Sequence, residues 1–310
     1  MVLTESMVVT HGSLQRARGR CALTIGNFDG VHRGHRALID RVTAMAAELD
    51  LTSCVLTFEP HPREFFAPGA APARLSRLRD KLELLAAAGV QHVHVARFNA
   101  RFAALSAQRF VEEVLVRSLR TRWLLVGRDF RFGEHREGDY AMLEAAAPRH
   151  GFELESMPDV LLEAVRVSSS AVRAALEAGD LRGAERLLGH AYTISGRVAH
   201  GAKLGRALGF PTANIVLRRA PPLSGIFIVE VDGLGGGVAS VGRRPTINPV
   251  PVPLLEVHLF DHDSDLYGKH LRVRFLEKLR DEQKYDGIEA LKQAIARDAR
   301  QAREYFAHHG

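Results

Sequence analysis

Two histidines three residues apart, His32 and His35, lie in the run Gly26-Asn27-Phe28-Asp29-Gly30-Val31-His32-Arg33-Gly34-His35. These residue types at this spacing point to chemistry on phosphate. Glycines let backbone amides close on an anion, a helix amino end adds partial positive charge, and imidazoles donate hydrogen bonds or carry charge. On a first helical turn, side chains three apart share one face. The Gly-Lys-Ser/Thr ending of a Walker loop is absent, so this is a different phosphate turn. It suits nucleotidyl transfer, in which a nucleophile attacks the α-phosphorus and imidazoles stabilise charge on the departing pyrophosphate. No covalent protein intermediate is needed. Asp29 could hold the turn itself or a magnesium-bound water.

Three further groupings could carry chemistry. Val167-Ser168-Ser169-Ser170-Ala171-Val172-Arg173 puts hydroxyls at a helix start with an arginine one turn in. Helix capping would explain the serines, and phosphate binding would use them together with Arg173. The run His200 to Asn214 holds Gly201, Lys203, Arg206 and the tail Pro211-Thr212-Ala213-Asn214. In an extended chain Thr212 and Asn214 present oxygen donors on one side, which suits magnesium with nucleotide phosphates, or else a glycine-rich β-loop ends there in a turn. Glu256 alternates with apolar neighbours on the polar face of a strand. It is either a surface carboxylate or a general base toward an attacking hydroxyl.

The elements that must position these groups follow from hydrophobic pattern. Strands are expected at 21–26, 52–58, 92–96 and 122–127, alternating with helical segments at 36–49, 75–89 and 106–119. That rhythm predicts a parallel sheet covered on both faces, with ligands bound beyond the carboxyl ends of its strands. Residues 1–20 read as a loosely packed lead-in. Short helices are expected at 169–178 and 180–188. From Tyr192 the texture becomes β-like, with strands at 226–231, 237–241, 254–260 and 271–275 and Gly233–Gly237 read as a flexible turn. Closely spaced strands without intervening helices predict an antiparallel barrel, covered on one side by a helix from Gly287 to about Phe306. A chain of 310 residues accommodates two domains. Only Cys21 and Cys54 occur, which suits a reducing cytoplasm and argues against a disulfide framework. The formal charge of +6 is spread along the chain without a basic run, so a solvated arginine-rich surface and anionic small substrates are favoured over nucleic acid.

In motif order the chain resembles the bacterial bifunctional riboflavin kinase/FAD synthetase family over nearly its whole length. The resemblance rests on Gly26–His35, Phe58-Glu59-Pro60-His61-Pro62, Gly127–Gly133 and the Ser-Ser-Ser-Ala-Val-Arg stretch. It continues through His200–Asn214, Gly242–Thr246, Glu256, Asp265–Gly268 and Leu279–Tyr285. It implies an α/β fold in which a Rossmann-like nucleotidyltransferase domain (1–188) precedes a six-stranded antiparallel β-barrel kinase domain (189–310) ending in a helix. The barrel would phosphorylate riboflavin to FMN with ATP and Mg2+. The first domain would transfer AMP from ATP to FMN, giving FAD and pyrophosphate.

Carried over residue by residue, the resemblance assigns His32 and His35 to catalysis and ATP phosphates. Gly26, Asn27, Phe28, Asp29, Asp129, Ser169, Ser170 and Arg173 would complete that ATP site. Pro60, Pro62, Phe66 and Phe132 would line a flavin pocket, although both phenylalanines would equally suit a core. In the kinase, Gly201, Lys203, Arg206, Pro211, Thr212 and Asn214 would bind ATP, Thr212 and Asn214 the metal, and Glu256 would be the base. Three positions depart from the family pattern: Asp129 and Ser240 where asparagine is common, and Ser170 where threonine is common. The partners implied are riboflavin, FMN and ATP, with no nucleic acid and no membrane, for a cytoplasmic monomer or weak homo-oligomer. Two alternatives stay open: a His-x-Gly-His nucleotidyltransferase with another acceptor, such as an aminoacyl-tRNA synthetase, and a flavin-binding regulator without catalysis.

Overall fold

A computed structural model of the chain describes residues 7–12, 17, 19–200, 209–244 and 252–309. The chain forms two compact units. One comprises Met1–Pro72 and Leu78–Val167, the other Ala73–Arg77 and Ser168–Gly310.

The first unit is built on a six-stranded parallel sheet of order β1-β4-β3-β2-β5-β6. Its strands are β1 (Val8–Gly12), β2 (Cys21–Ile25), β3 (Thr52–Glu59), β4 (His92–Arg97), β5 (Thr121–Gly127) and β6 (Glu153–Met157). Every residue of β2 is buried, as a central parallel strand covered on both faces requires. Helix α1 (Arg33–Glu48) lays Ile39, Val42 and Met45 on one face, and Leu85 of α3 (Leu78–Ala87) joins them there. On the other face Phe110, Val114, Leu115 and Leu143 pack against Leu23, Leu56 and Leu124. The expected strands and helices of this unit are present with ends shifted by a few residues. The lead-in is different: Val8–Gly12 is an edge strand paired in register with β4, Val8 opposite His92 through Gly12 opposite Ala96. Five residues with two polar positions carry too short a pattern to announce a strand.

Chain order reverses between β2 and β5, since β3 and β4 extend the sheet to one side and β5 and β6 to the other. A crevice opens at the carboxyl ends on either side of such a point. The turn after β2 is Gly26–His32 and the turn after β5 begins at Arg128, so the fold places two predicted motifs at that switch.

The second unit is a closed barrel of order β10-β13-β12-β11-β14-β9. Its strands are β9 (Thr193–Ala199), β10 (Ala213–Val216), β11 (Gly225–Val231), β12 (Gly235–Arg244), β13 (Val252–Leu259) and β14 (His270–Arg280), all antiparallel to their neighbours. Ile215, Phe227, Val229, Ala239, Leu255, Val257 and Val273 fill it. The helix Ile288–His309 lies against it, with Phe306 in a cluster with Ile226, Ile228 and Val238. The glycine run expected to be only a turn is largely strand: Gly235, Gly236 and Gly237 pair with Val231, Glu230 and Val229. A Cβ on Gly236 would fall 2.5 Å from the Phe306 ring, and one on Gly237 would strike the His258 carbonyl. These glycines serve close approach, which a sequence pattern reads as flexibility. The helices Ser169–Glu177 and Leu181–Leu188, grouped with the first domain on sequence, contribute Val172, Leu176, Ala184 and Leu188 to the barrel's core cluster.

Candidate functional site

In the first unit the phosphate turn is assembled from buried parts. His32 is the N-cap of α1, its Nδ1 accepting from the His35 backbone N–H at 3.3 Å. The two imidazoles stack, with centroids 3.6 Å apart and planes 16° from parallel. Gly34 suits this packing: a Cβ there would sit 3.2 Å from the His32 ring, which would have to give by a few tenths of an ångström. Phe28 is fully buried and its ring leans on His35 at 4.9 Å. Gly26 passes close beneath the Phe28 ring, 3.1 Å from where its Cβ would be. Phe28, Gly30 and Val31 all have positive φ (48°, 82° and 42°), a strained path for two non-glycine residues that the surrounding packing must hold. Asp29 is buried within the turn.

Two buried polar atoms of this turn have no hydrogen-bond partner, Asn27 Oδ1 and His35 Nδ1. Orphaned buried groups are rare and ask for an explanation, of which a ligand is one. Burial pushes the His35 pKa well below its ordinary 6.5, and the neighbouring His32 and Lys81 push it further the same way. His35 is therefore a neutral imidazole at physiological pH, able to donate one hydrogen bond to an oxyanion without adding a full charge.

Asp129 lies exposed on the turn after β5, paired with Arg166 at 3.3 Å, so its carboxylate is held by a cation of the same unit. Pro60 and Pro62 follow β3. Pro62 opens the short helix α2 (Pro62–Phe66), capped by His61 and Glu64 in a reciprocal box. The two phenylalanines expected in a flavin pocket have different surroundings, Phe66 being 67% exposed and Phe132 only 5%. A continuous series of rings joins them: Phe66 to Phe98 (5.6 Å), Phe98 to Phe102 (5.7 Å), Phe102 to Phe110 (6.3 Å) and Phe110 to Phe132 (5.2 Å). Phe98 and Phe102 had no sequence signal, because single aromatics beside loops look like ordinary core. Arg117, Arg120 and Arg122, dispersed in the sequence, line one cleft of about 370 Å³ at the start of β5. That is the sheet edge opposite the phosphate turn.

In the second unit the side chain of Ser168 caps the helix Ser169–Glu177, accepting from Ala171 N at 3.2 Å. Capping is thus accomplished by Ser168 and does not account for Ser169 or Ser170. Arg173 donates from Nε to the Ala73 carbonyl at 2.6 Å. On the barrel, register aligns three expected or flagged residues across adjacent strands: Asn214 on β10 faces Glu256 on β13, which faces Ser240 on β12. The neighbours Leu255 and Val257 point into the barrel, so these three project outward. Glu256 is half-buried. Asn214 is buried, with Nδ2 donating to the Thr212 carbonyl at 3.2 Å and Oδ1 left without a partner. Ser240 Oγ donates to Glu282 Oε1 at 3.4 Å. His258, two residues beyond Glu256, bonds the Pro211 carbonyl through Nδ1 at 2.9 Å and meets Phe210 edge-on. It therefore anchors the segment that presents Thr212, a role nothing in the sequence marked. The expected ATP ligands Gly201, Lys203 and Arg206 lie outside the described residues. An amide oxygen beside a hydroxyl-bearing residue and a carboxylate is an all-oxygen donor set, which fits magnesium.

Comparison with known proteins identifies the family. A family model described as FAD synthetase matches residues 14–171, and one described as riboflavin kinase matches 188–306. The bifunctional riboflavin kinase/FMN adenylyltransferase of Escherichia coli (strain K12) is 50% identical over 301 residues, covering 96% of each chain. The chain belongs to this bifunctional family. Proteins of the same description from Pseudomonas fluorescens (49% over 291 residues, 93% of each chain) and Haemophilus influenzae (48% over 291 residues, 92% of this chain and 94% of that one) agree. A solved structure from Streptococcus pneumoniae, described as a macrolide-efflux protein, matches with a TM-score of 0.78 at 26% identity, over 94% of this chain and 97% of that one. Among the described residues no helix is long and apolar enough to cross a membrane. The riboflavin kinase/FMN adenylyltransferase chain is thus an enzyme with two ATP-dependent transfers, riboflavin to FMN and FMN to FAD.

Proposed function

We propose that the two reactions are divided between the two sites: AMP transfer to FMN at the Gly26–His35 turn, and riboflavin phosphorylation on the barrel face of Thr212, Asn214 and Glu256. The observation that carries this reading is where unsatisfied polar atoms fall. Of the six buried side-chain atoms without partners among the described residues, Asn27 Oδ1, His35 Nδ1 and Asn214 Oδ1 belong to residues assigned to these two sites, while Thr24 Oγ1, His94 Nε2 and Tyr285 OH do not.

In the first reaction an FMN phosphate oxygen attacks the α-phosphorus of ATP. A new P–O bond forms, and the bond to the bridging oxygen breaks with its electron pair leaving on pyrophosphate. His32 and His35 face that leaving group, and the neutral state of His35 makes it a hydrogen-bond donor there. Backbone amides of Gly26–Asp29 and the α1 amino end hold the phosphates. Ser169, Ser170 and Arg173 assist them, with Asp129 near the acceptor side through its paired carboxylate. Pro60, Pro62, Phe66 and Phe132 are assigned to the isoalloxazine, with Phe98, Phe102 and Phe110 linking the two phenylalanines. The assignment gives residues 1–188 to this activity and 189–310 to the kinase.

In the second reaction Glu256 accepts the proton of the ribityl hydroxyl as its oxygen attacks the γ-phosphorus and ADP departs. Thr212 and Asn214 would hold Mg2+, which when bound neutralises charge on the phosphate oxygens. Gly201, Lys203, Arg206 and Pro211 complete the nucleotide side. The enzyme works in the cytoplasm as a monomer or weak homo-oligomer. The test supplies each substrate separately. Riboflavin with ATP and magnesium must yield FMN and then FAD, whereas FMN with ATP must yield FAD without help from Glu256. An assay in which removing Glu256 stops both steps in a folded protein overturns the division.

A further inference from the structure

Among the described residues Lys81 is the only lysine or arginine that is buried, at 6% exposure. Taking an ammonium out of water is unfavourable by several kcal/mol unless hydrogen bonds and charge partners offset it, so a buried lysine asks for a reason. Lys81 sits in the first turn of α3 and its Nζ donates to Thr57 Oγ1 at 3.4 Å. Thr57, fully buried on β3, donates in turn to the backbone carbonyl of Asn27 at 3.2 Å. The relay therefore ends inside the phosphate turn, one peptide before Phe28. A second tie lies alongside it, Gly26 N donating to Leu56 O at 3.1 Å.

A peptide unit is planar and trans, so its carbonyl and its N–H point in opposite directions. Holding the Asn27 carbonyl toward β3 aims the Phe28 N–H away from β3. The same peptide leads into Phe28 and its positive φ, a conformation that persists only where neighbours over-determine it. The strands alone cannot do this, because β2 ends at Ile25.

We propose that Lys81 is a positioning residue of the adenylyltransferase site, acting through Thr57 to fix the Asn27 carbonyl and with it the Gly26–His35 turn. The inference rests on the reading of that turn as the site of AMP transfer. Lys81 does not touch substrate in this role. Burial first, and then the charges of His32 and Lys81, hold the His35 pKa well below 6.5.

The test uses the full chain and steady-state FAD formation from supplied FMN, with FMN formation from riboflavin and a thermal melt as checks on folding. Lys81→Met is expected to lower kcat at least about tenfold while KM for ATP changes less, because misplacing a catalytic turn by 1 Å is felt mainly in the transition state. Thr57→Val removes the relay's hydroxyl without touching the charge and should give a loss of similar kind. Thr57→Ser keeps the hydroxyl and should restore kcat. The Lys81→Met/Thr57→Val double variant should be no worse than the weaker single variant, as expected for one shared path. Folded Lys81→Met with unchanged kcat overturns the proposal, as does Thr57→Val behaving like Thr57→Ser. Should Lys81→Met not fold, the Thr57 pair decides alone. His35→Ala separates the two levels. If it leaves FAD formation intact, the site reading itself fails; if it abolishes FAD formation while the relay variants do nothing, only the relay fails.

Discussion

The two places proposed to handle ATP are built from opposite materials. In the parallel-sheet unit the site is a strand-to-helix turn, made of backbone, glycine and two stacked imidazoles, with positive φ at Phe28 and Val31. On the barrel it is a row of side chains on three antiparallel strands, with Asn214, Glu256 and Ser240 in register. The difference follows the bond being broken. AMP transfer releases pyrophosphate and needs donors for a leaving anion, which a helix amino end and imidazoles supply. Phosphorylation of an alcohol must also remove a proton, so it needs a carboxylate and oxygen ligands for a cation. A parallel sheet offers helix amino ends at its carboxyl edge and a small barrel does not, so on the proposed division each fold would host the chemistry its geometry favours.

The sharpest way to break this comparison is to remove the barrel's carboxylate. Glu256→Ala should lower FMN formation by about a thousandfold, within the usual range for a lost general base, and leave FAD formation from supplied FMN near wild type. The reciprocal variant, His35→Ala, should lower FAD formation by about a hundredfold, as loss of one donor to a developing anion does, and spare FMN formation. Both are read by separating FMN and FAD after incubation with each flavin in turn. If both variants stopped both products while the protein stayed folded, the contrast between the two sites would have no functional meaning.

How much of this contrast was legible in the sequence depended on range. The Gly26–His35 turn was readable because its strand, glycines, histidines and helix are contiguous, and local spacing alone fixes the shared imidazole face. Glu256 was readable only as a polar position on a strand. Its alignment with Asn214 and Ser240 is a register between residues far apart in the chain, and register leaves no local trace. His258 was invisible for the same reason, since its partner Pro211 lies 47 positions away. Lys81 carried no signal at all. In a helix of the pattern Leu-Arg-Asp-Lys nothing local separates a buried lysine from a solvated one, and only the fold reveals it facing Thr57. Phe132, which on sequence suits a pocket and a core equally, is 5% exposed and in contact with Phe110.

A smaller effect separates the units by stability instead of activity. A side chain at Gly237 would strike the His258 carbonyl of the adjacent strand, and backbone cannot move aside cheaply. Gly237→Ala should destabilise the barrel by about 1–3 kcal/mol, the usual range for overpacking. After graded heating, the capacity to form FMN should be lost at a lower temperature than in the wild type, while FAD formation from FMN should fall only in part, through the helix of Ser169, Ser170 and Arg173 in the barrel's core cluster. Equal loss of both would mean that the two units unfold as one.

The weakest expected effect lies in the parallel-sheet unit and depends on pH. His94 is 1% exposed on β4, shares a 2.7 Å hydrogen bond with Thr10 through Nδ1, and has a buried Nε2 without a partner. Burial first, then the charges of His92 and His11, pull its pKa from 6.5 down to about 4. In the unfolded chain the ring regains its ordinary value, so between these limits the unfolded state binds more protons. Stability contributed by neutral His94 is therefore complete above pH 6.5 and falls away progressively toward pH 4. His94→Asn removes the titration and keeps a polar atom near Thr10. It should flatten the decline in melting temperature between pH 7.5 and pH 5, whatever constant offset the smaller side chain adds. An unchanged slope would show that the acid sensitivity of this sheet resides in other groups.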